Sequence, residues 1–304
     1  MMAVSDHFTG PYAGPGLPRA QAGPQPQYLL LMLLADYWRT KEPLPSQALV
    51  RLLADFDVTE ASARAAIGRL TRRGRLELTR DGRRTCYRLT ENADTELAAG
   101  LRRTLAFGKR RDWDGHWTVV LFSVPEDRRD VRHSLRARLR WLGFAPLHDG
   151  SWVTPNPLQA EAAALLTELA VDSGVVLTAL DESPRGQLLA AWDLEAVAGV
   201  YRDFLRRFGP LRSQVAAGSL GSAQALRART ELMDEWRNFR TRDPDLPGQL
   251  LPEGWPQAAA RQLFTELYNG LGPLAAVRFR QLLSESAPEL VDLVRYYDTE
   301  SLIG

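Results

Sequence analysis

Cysteine, histidine pairs, long apolar runs and net charge are all scarce in this chain of 304 residues, and each shortage removes a class of function. Cys86 is the sole cysteine, so no internal disulfide can form and a reducing compartment is expected. It stands between Thr85 and Tyr87, where a small packed residue is a simpler reading than a redox sensor. His7, His116, His133 and His148 are widely separated, and no Cys or His pair has the spacing of zinc ligands, so no metal cofactor is expected. The longest apolar run, residues 28–35, is far short of the roughly 20 residues that span a bilayer. The N-terminus lacks the basic-then-apolar order of a secretory signal. A cytoplasmic chain is expected. The net charge is only +1 and 45% of residues are hydrophobic, an ordinary balance for two or three folded domains.

Against that near-neutral background, residues 59–89 carry nine arginines (Arg64, Arg69, Arg72, Arg73, Arg75, Arg80, Arg83, Arg84, Arg88) and three acids, Glu60, Glu77 and Asp81. Such a local surplus is the electrostatic footprint of a surface that meets a phosphate backbone. Thr59 can cap the amides that open a helix and Gly74 can end it, predicting a helix over 60–73. With about 100° between successive residues, Ala63, Ile67 and Leu70 share an inward stripe. Ser62, Ala65, Arg69 and Arg72 fall on the opposite face, small enough to enter a major groove about 12 Å wide and armed with guanidiniums that match guanine edges. Leu76 and Leu78, then Tyr87 and Leu89, alternate with polar residues around Asp81-Gly82, which predicts a hairpin with Arg80, Arg83 and Arg84 at its tip. Arginines along one helix alone would read as solvated surface charge. The basic hairpin beside them, and a bracing helix over 46–56, favour a winged helix-turn-helix. The candidate DNA-contacting residues are Ser62, Arg64, Ala65, Arg69, Arg72, Arg73, Arg80, Arg83 and Arg84.

The fold class expected is α+β and multidomain. Residues 1–26, rich in glycine and proline, read as a disordered tail. Residues 27–112 form the winged domain, opened by a helix over 27–38 that presents Leu29, Leu30, Leu33, Leu34 and Tyr37 on one stripe; Pro43 and Pro45 then break the chain. A helix beginning after Thr90 carries Leu97, Leu101 and Leu105. Residues 113–185 read as strand (117–124), helix (126–142), hairpin (145–147 and 151–154 around His148-Asp149-Gly150), helix (158–171) and strand (175–180). That βαββαβ order is the ferredoxin-like arrangement. Residues 186–304 read as a helical domain with helices over 194–208, 222–240, 257–271 and 274–285. The proline-rich segment 243–256 interrupts it and must be held by packing of Leu246, Leu250, Leu251 and Trp255.

Three stretches together resemble the PaaX-type transcriptional repressors: Ser62-Ala63-Arg64-Ala65-Ala66-Ile67-Gly68-Arg69-Leu70, Trp141-Leu142-Gly143-Phe144 with Trp152-Val153, and the proline-rich segment 243–256. The resemblance covers most of the chain. It implies a non-enzymatic homodimer that binds promoter DNA and leaves it when a coenzyme A thioester, typically phenylacetyl-CoA, is bound. The middle domain of the family is similar to the small CRISPR-adaptation nuclease, which places a metal-binding aspartate at the end of its first strand. Here Ser123 stands there, with Glu126 and Asp127 beyond Pro125, and a hydroxyl is a poor ligand for a hard cation. The family pattern has histidine where Asp234 precedes Glu235-Trp236-Arg237, so the inducer is expected to differ if that histidine touches it.

A coenzyme A thioester needs guanidiniums for its phosphates and an apolar slot for its acyl group. The middle-domain helix offers Arg128, Arg129, Arg132, Arg136 and Arg140, and the candidate effector residues are Arg128, Arg132, Arg136, Trp141, Trp152, Asp234, Trp236, Arg237 and Trp255. Tryptophans are more often core residues, and arginines more often solvated, than ligating. Two other readings stay open at this point: a metal-dependent nuclease working through the middle domain, and an architectural DNA binder with no effector.

Overall fold

A computed structural model of the chain describes residues 25–109, 112–183 and 187–300. The expected tail over 1–26 lies outside them except for Gln25 and Pro26. Pro26 opens the first helix, α1 (Pro26–Tyr37), at a position where its missing N–H costs nothing. Every residue of α1 from Gln27 to Tyr37 is buried, so it is a core helix rather than the one-sided helix expected. Next come β1 (Leu44–Pro45), α2 (Ser46–Ala54), α3 (Glu60–Arg72), β2 (Leu76–Asp81), β3 (Arg84–Leu89) and α4 (Glu91–Ala106). The three strands pair antiparallel in the order β1-β3-β2. β1, which pairs Leu44 with Tyr87, has no counterpart in the sequence reading. It escapes notice because two residues carry no alternation, and Pro45 is tolerated because β1 is an edge strand.

The next stretch supplies β4 (Trp117–Leu121), α5 (Arg129–Trp141) after a turn of 3-10 helix at Glu126–Arg128, β5 (Ala145–His148), β6 (Ser151–Thr154), α6 (Gln159–Glu168) and β7 (Val175–Ala179). The sheet order is β5-β6-β4-β7 and every pairing is antiparallel. Val120, Phe122 and Trp152 from the sheet side pack against Leu135 and Leu139 of α5 and Ala162, Leu165 and Leu166 of α6. The hairpin turn is Asp149-Gly150. Gly150 sits at φ +75 with the Phe122 carbonyl oxygen 2.3 Å from where a Cβ would stand, so only glycine fits.

Helices α7 (Leu194–Phe208), α8 (Leu211–Ala216), α9 (Ser222–Arg242) and α10 (Gln257–Ser284) complete the described chain, with 3-10 turns between and after them. Two helices were expected over 257–285. A single one runs through Pro273. Proline costs a helix about 3 kcal/mol, but Leu267, Tyr268, Leu271, Ala275, Ala276 and Phe279 are buried on both sides of it, and their packing holds the helix together.

Contacts gather the described residues into two compact units, one of residues 109–200 and 241–256, the other of 25–108, 201–240 and 257–300. These cut across the three expected segments, because most of the C-terminal helical residues share a core with the N-terminal ones. The second unit explains why α1 is buried all round. Tyr37 stacks on Phe279 with ring centres 5.2 Å apart, and Trp236, Phe239, Phe264 and Tyr268 form a continuous aromatic cluster.

At the centre of that unit Arg229 is fully buried. Its Nε donates to the Tyr268 carbonyl (2.9 Å), Nη1 to the Tyr37 hydroxyl (2.9 Å) and Nη2 to the Tyr297 carbonyl (2.5 Å). Its guanidinium lies 3.7 Å from the centre of the Tyr268 ring. The Asp36 carboxylate is 3.6 Å away and accepts from the Tyr268 hydroxyl at 3.2 Å. Burial raises the Asp36 carboxyl above its ordinary range, partly opposed by Arg229 and by the Tyr268 hydrogen bond. Burial likewise lifts the Tyr37 phenol to about 12.

Arg229→Met should therefore destabilise the fold by about 3 to 5 kcal/mol at neutral pH, since it strands Asp36 as a buried charge. The folded carboxyl titrates above its unfolded value, so the deficit should shrink as pH falls through that raised range and Asp36 takes up a proton. Urea unfolding at several pH values checks both size and sign, and a deficit that grows toward acid pH would contradict this account. Gly150→Ala should cost about 1 to 3 kcal/mol through the left-handed backbone alone, read as a fall in the denaturation midpoint.

Candidate nucleic-acid interface

Helix α3 starts where the sequence reading places it. The Thr59 hydroxyl accepts from the Ser62 amide at 3.3 Å, and the helix ends at Gly74, φ +65, with the Arg75 amide bonded back to the Leu70 carbonyl. Ala63, Ala66, Ile67 and Leu70 are buried against the neighbouring helices. Ser62, Arg64, Ala65, Gly68, Arg72 and Arg73 are exposed. Arg69 differs: it is half-buried, and the buried Gln27 of α1 lies against its guanidinium, the amide turned so that its oxygen accepts from Arg69. A guanidinium braced in this way is less free to reach a ligand than one in water. Arg64 is exposed but pairs with Glu60 one turn earlier at 2.6 Å.

The hairpin that follows reverses through Gly82 and Arg83, with Asp81 paired to Arg84 and Gly82 at φ +55. Glycine first in a two-residue loop suits the twist of the flanking strands. Arg80, Arg83 and Arg84 are exposed at the tip. Arg84 has only a 3.9 Å approach to Glu289. The side chains of Arg72, Arg80 and Arg83 make no ion pair or hydrogen bond among the described residues. The two remaining arginines of the stretch serve the fold. Arg75 is buried and paired with Glu96 of α4, and Arg88 pairs across the strands with Glu77 at 2.5 Å.

The candidate effector residues do not assemble into one site. Arg128 donates to the Leu169 and Ala170 carbonyls at the end of α6 (3.0 and 2.8 Å). Arg132 donates to the carbonyls of Val124 and Pro125 and to Glu126. Both are engaged in holding the first unit together. Trp236 is fully buried, stacks on Phe264 at 4.6 Å and donates from its indole to the Thr104 carbonyl, so it is a core residue. Arg237 lies over the Tyr28 ring at 3.9 Å. Burial raises the neighbouring Asp234 carboxyl, while Arg237 and the Tyr28 hydroxyl act to lower it. Asp234 and Arg237 belong to the second unit, Trp255 to the first. Trp141 is exposed.

Arg136 and Trp152 do meet, in a depression of about 240 Å³ lined also by Arg140, Pro146, Leu147, His148 and Asp149. The Arg140 guanidinium stands 5.0 Å from the Trp152 ring, and Arg136 donates to Asp149 at 2.8 Å. Arg140 follows Arg132 and Arg136 at four-residue spacing; its place over Trp152 depends on a contact across 12 residues. Ser123, at the expected end of the first middle strand, has its carbonyl bonded by the Ser173 hydroxyl at 2.5 Å.

These observations describe a mixed α+β chain with a basic helix-and-hairpin face. Three family models match it in succession: "PaaX-like protein" over residues 25–93, "PaaX protein central Cas2-like domain" over 110–187 and "PaaX-like protein C-terminal domain" over 192–281. The chain belongs to the PaaX family. It is 28% identical over 237 residues, 75% of this chain and 74% of the relative, to the transcriptional repressor PaaX of Escherichia coli strain K12. Among solved structures it is similar to the uncharacterized protein Rv0674 from Mycobacterium tuberculosis, with 26% identity and a TM-score of 0.52 over 81% of this chain and 94% of that one. No helix of the described residues is long and apolar enough to cross a membrane.

Proposed function

We propose that this protein is a DNA-binding transcriptional repressor that reads duplex DNA with a winged helix-turn-helix made of α2, α3 and the β2–β3 hairpin. One observation carries the reading: the exposed face of α3, small at Ser62, Ala65 and Gly68 and charged at Arg72, continues into a hairpin tip that bears Arg80, Arg83 and Arg84. Small residues let a helix approach base edges, and unpaired guanidiniums beside them supply phosphate and guanine contacts. The repressor relative supports the same role. The ferredoxin-like middle domain and the homodimer belong to this proposal. Two readers in a dimer would meet half-sites about 34 Å apart, a spacing that a small change of geometry spoils.

Release of DNA by a coenzyme A thioester is the second element of the proposal. The depression at Arg136, Arg140 and Trp152 suits a phosphate or carboxylate next to a ring, and its volume holds only part of such a ligand. The ligand would act by binding the DNA-incompetent arrangement more tightly, by about 1.4 kcal/mol for each tenfold loss of DNA affinity.

The decisive experiment is a titration of the full chain against its own upstream DNA, with and without a panel of acyl-CoA esters. No preference over random duplex would end the reader assignment, and indifference to every ester would end the effector. Within the reader, Arg83→Ala should weaken binding to all sequences and lower the salt slope by about one. Arg72→Ala should cost about 1 to 3 kcal/mol and relax preference at one base pair if it reads guanine. Equal losses on specific and random DNA would mark Arg72 as a phosphate contact.

A further inference from the structure

Four of the five residues between α2 and α3, Asp55-Phe56-Asp57-Val58, set the angle at which α3 leaves α2. Asp57 adopts φ +61, in the left-handed region that Asp and Asn enter more readily than other side chains. The C-terminal helices of the same compact unit hold this turn. Arg227 of α9 donates twice to the Asp57 carboxylate, at 2.8 and 3.1 Å, with its guanidinium 5.8 Å from the centre of the Phe56 ring. Arg278 of α10 donates from Nε at 3.1 Å and from Nη2 to Oδ1 of Asp55, whose carboxylate is largely buried. One turn back, Arg51 of α2 meets Glu285, just past the end of α10, at 2.8 Å. Three ion pairs thus cross one junction, two of them with two-pronged guanidinium contacts, which fix orientation better than single contacts do.

From this we infer that Arg227 and Arg278 are positioning residues for the reading helix: they strap the α2–α3 turn to α9 and α10, so the C-terminal helices set the angle of α3. The inference rests on the DNA-reading assignment above. None of the three pairs includes a candidate DNA-contacting residue, so the straps act on sequence-specific binding through geometry and leave general phosphate attraction alone. They also give any event that shifts α9 or α10 a direct mechanical route to the reader.

The test uses the full-length protein with Arg227→Ala, Asp57→Asn, their combination, and Arg278→Ala. Asparagine is chosen because it tolerates the left-handed backbone. Each variant is titrated against a duplex from the protein's own upstream region and a random duplex of equal length, across a salt series. Hydrogen exchange over residues 58–70 is followed in parallel. Each single change should weaken binding to the upstream duplex roughly threefold to fivefold, as an ion pair of this exposure allows. Random-duplex affinity and the salt slope should not move, and the first turn of α3 should exchange faster. The combined variant should be no weaker than the worse single one, because the two residues act as a pair.

Unchanged exchange in α3 together with unchanged upstream affinity would overturn the inference. So would equal losses on both duplexes with a shallower salt slope, which would make the arginines phosphate contacts. If the wild-type protein fails to distinguish the two duplexes, the DNA reading falls, while faster exchange in the variants still upholds the straps. Should Arg278→Ala fail to fold because it leaves Asp55 unpaired, the solvent-exposed Asp57–Arg227 pair carries the test alone.

Discussion

A single buried guanidinium governs how the larger unit is built. Arg229 has lost all contact with water, and an isolated charge so placed would be intolerable. It is stabilised because three elements converge on it: Tyr37 and Asp36 from α1, Tyr268 from α10, and the Tyr297 carbonyl from the final segment. None of these can shift far without leaving a buried donor unsatisfied. The helix that opens the N-terminal half and the helices that close the chain are therefore fixed relative to each other by satisfiability, and apolar packing around Trp236 and Phe264 fills the space that remains. Helix α3 inherits its frame from this arrangement. α1, pinned by the buried pair at one end, places Gln27 against Arg69 at the other.

Arginines elsewhere divide by what surrounds them. Arg128 and Arg132 satisfy carbonyls where helices and strands end, Arg75 fastens the hairpin to α4, and Arg138 pairs twice with Glu168 at 2.6 Å between α5 and α6. Because a guanidinium presents five donors in a rigid fork, one side chain can close several orphaned acceptors at once. The basic face is what remains after these structural demands are met. Arg72, Arg80 and Arg83 stay on that face because nothing in the fold claims their side chains.

Much of the fold could be read from the residues. Thr59 and Gly74 delimit α3 through local hydrogen bonds, Asp149-Gly150 turns the middle hairpin, and the βαββαβ order follows from alternating and helical periodicities. Other features were illegible for definite reasons. β1 is too short to show a period. α10 crosses Pro273 because burial on both sides outweighs the lost hydrogen bond. α1 reads as one-sided when it is buried all round, since the partners for its second face lie about two hundred residues away. Among the candidate residues, Ser62, Ala65 and the hairpin arginines are exposed, whereas Trp236 is core and Arg128 and Arg132 hold the middle unit together.

What the chain determined locally were its helix caps, its turns, its alternation and the concentration of arginine between residues 59 and 89, because each depends on residues a few positions apart. Only tertiary structure decided which of those arginines are free, and that the C-terminal helices lie against the turn between α2 and α3. Charge pairing is set by distance in space. A carboxylate such as Asp55 can be claimed by Arg278, 223 residues along the chain, with no trace in the residues beside it.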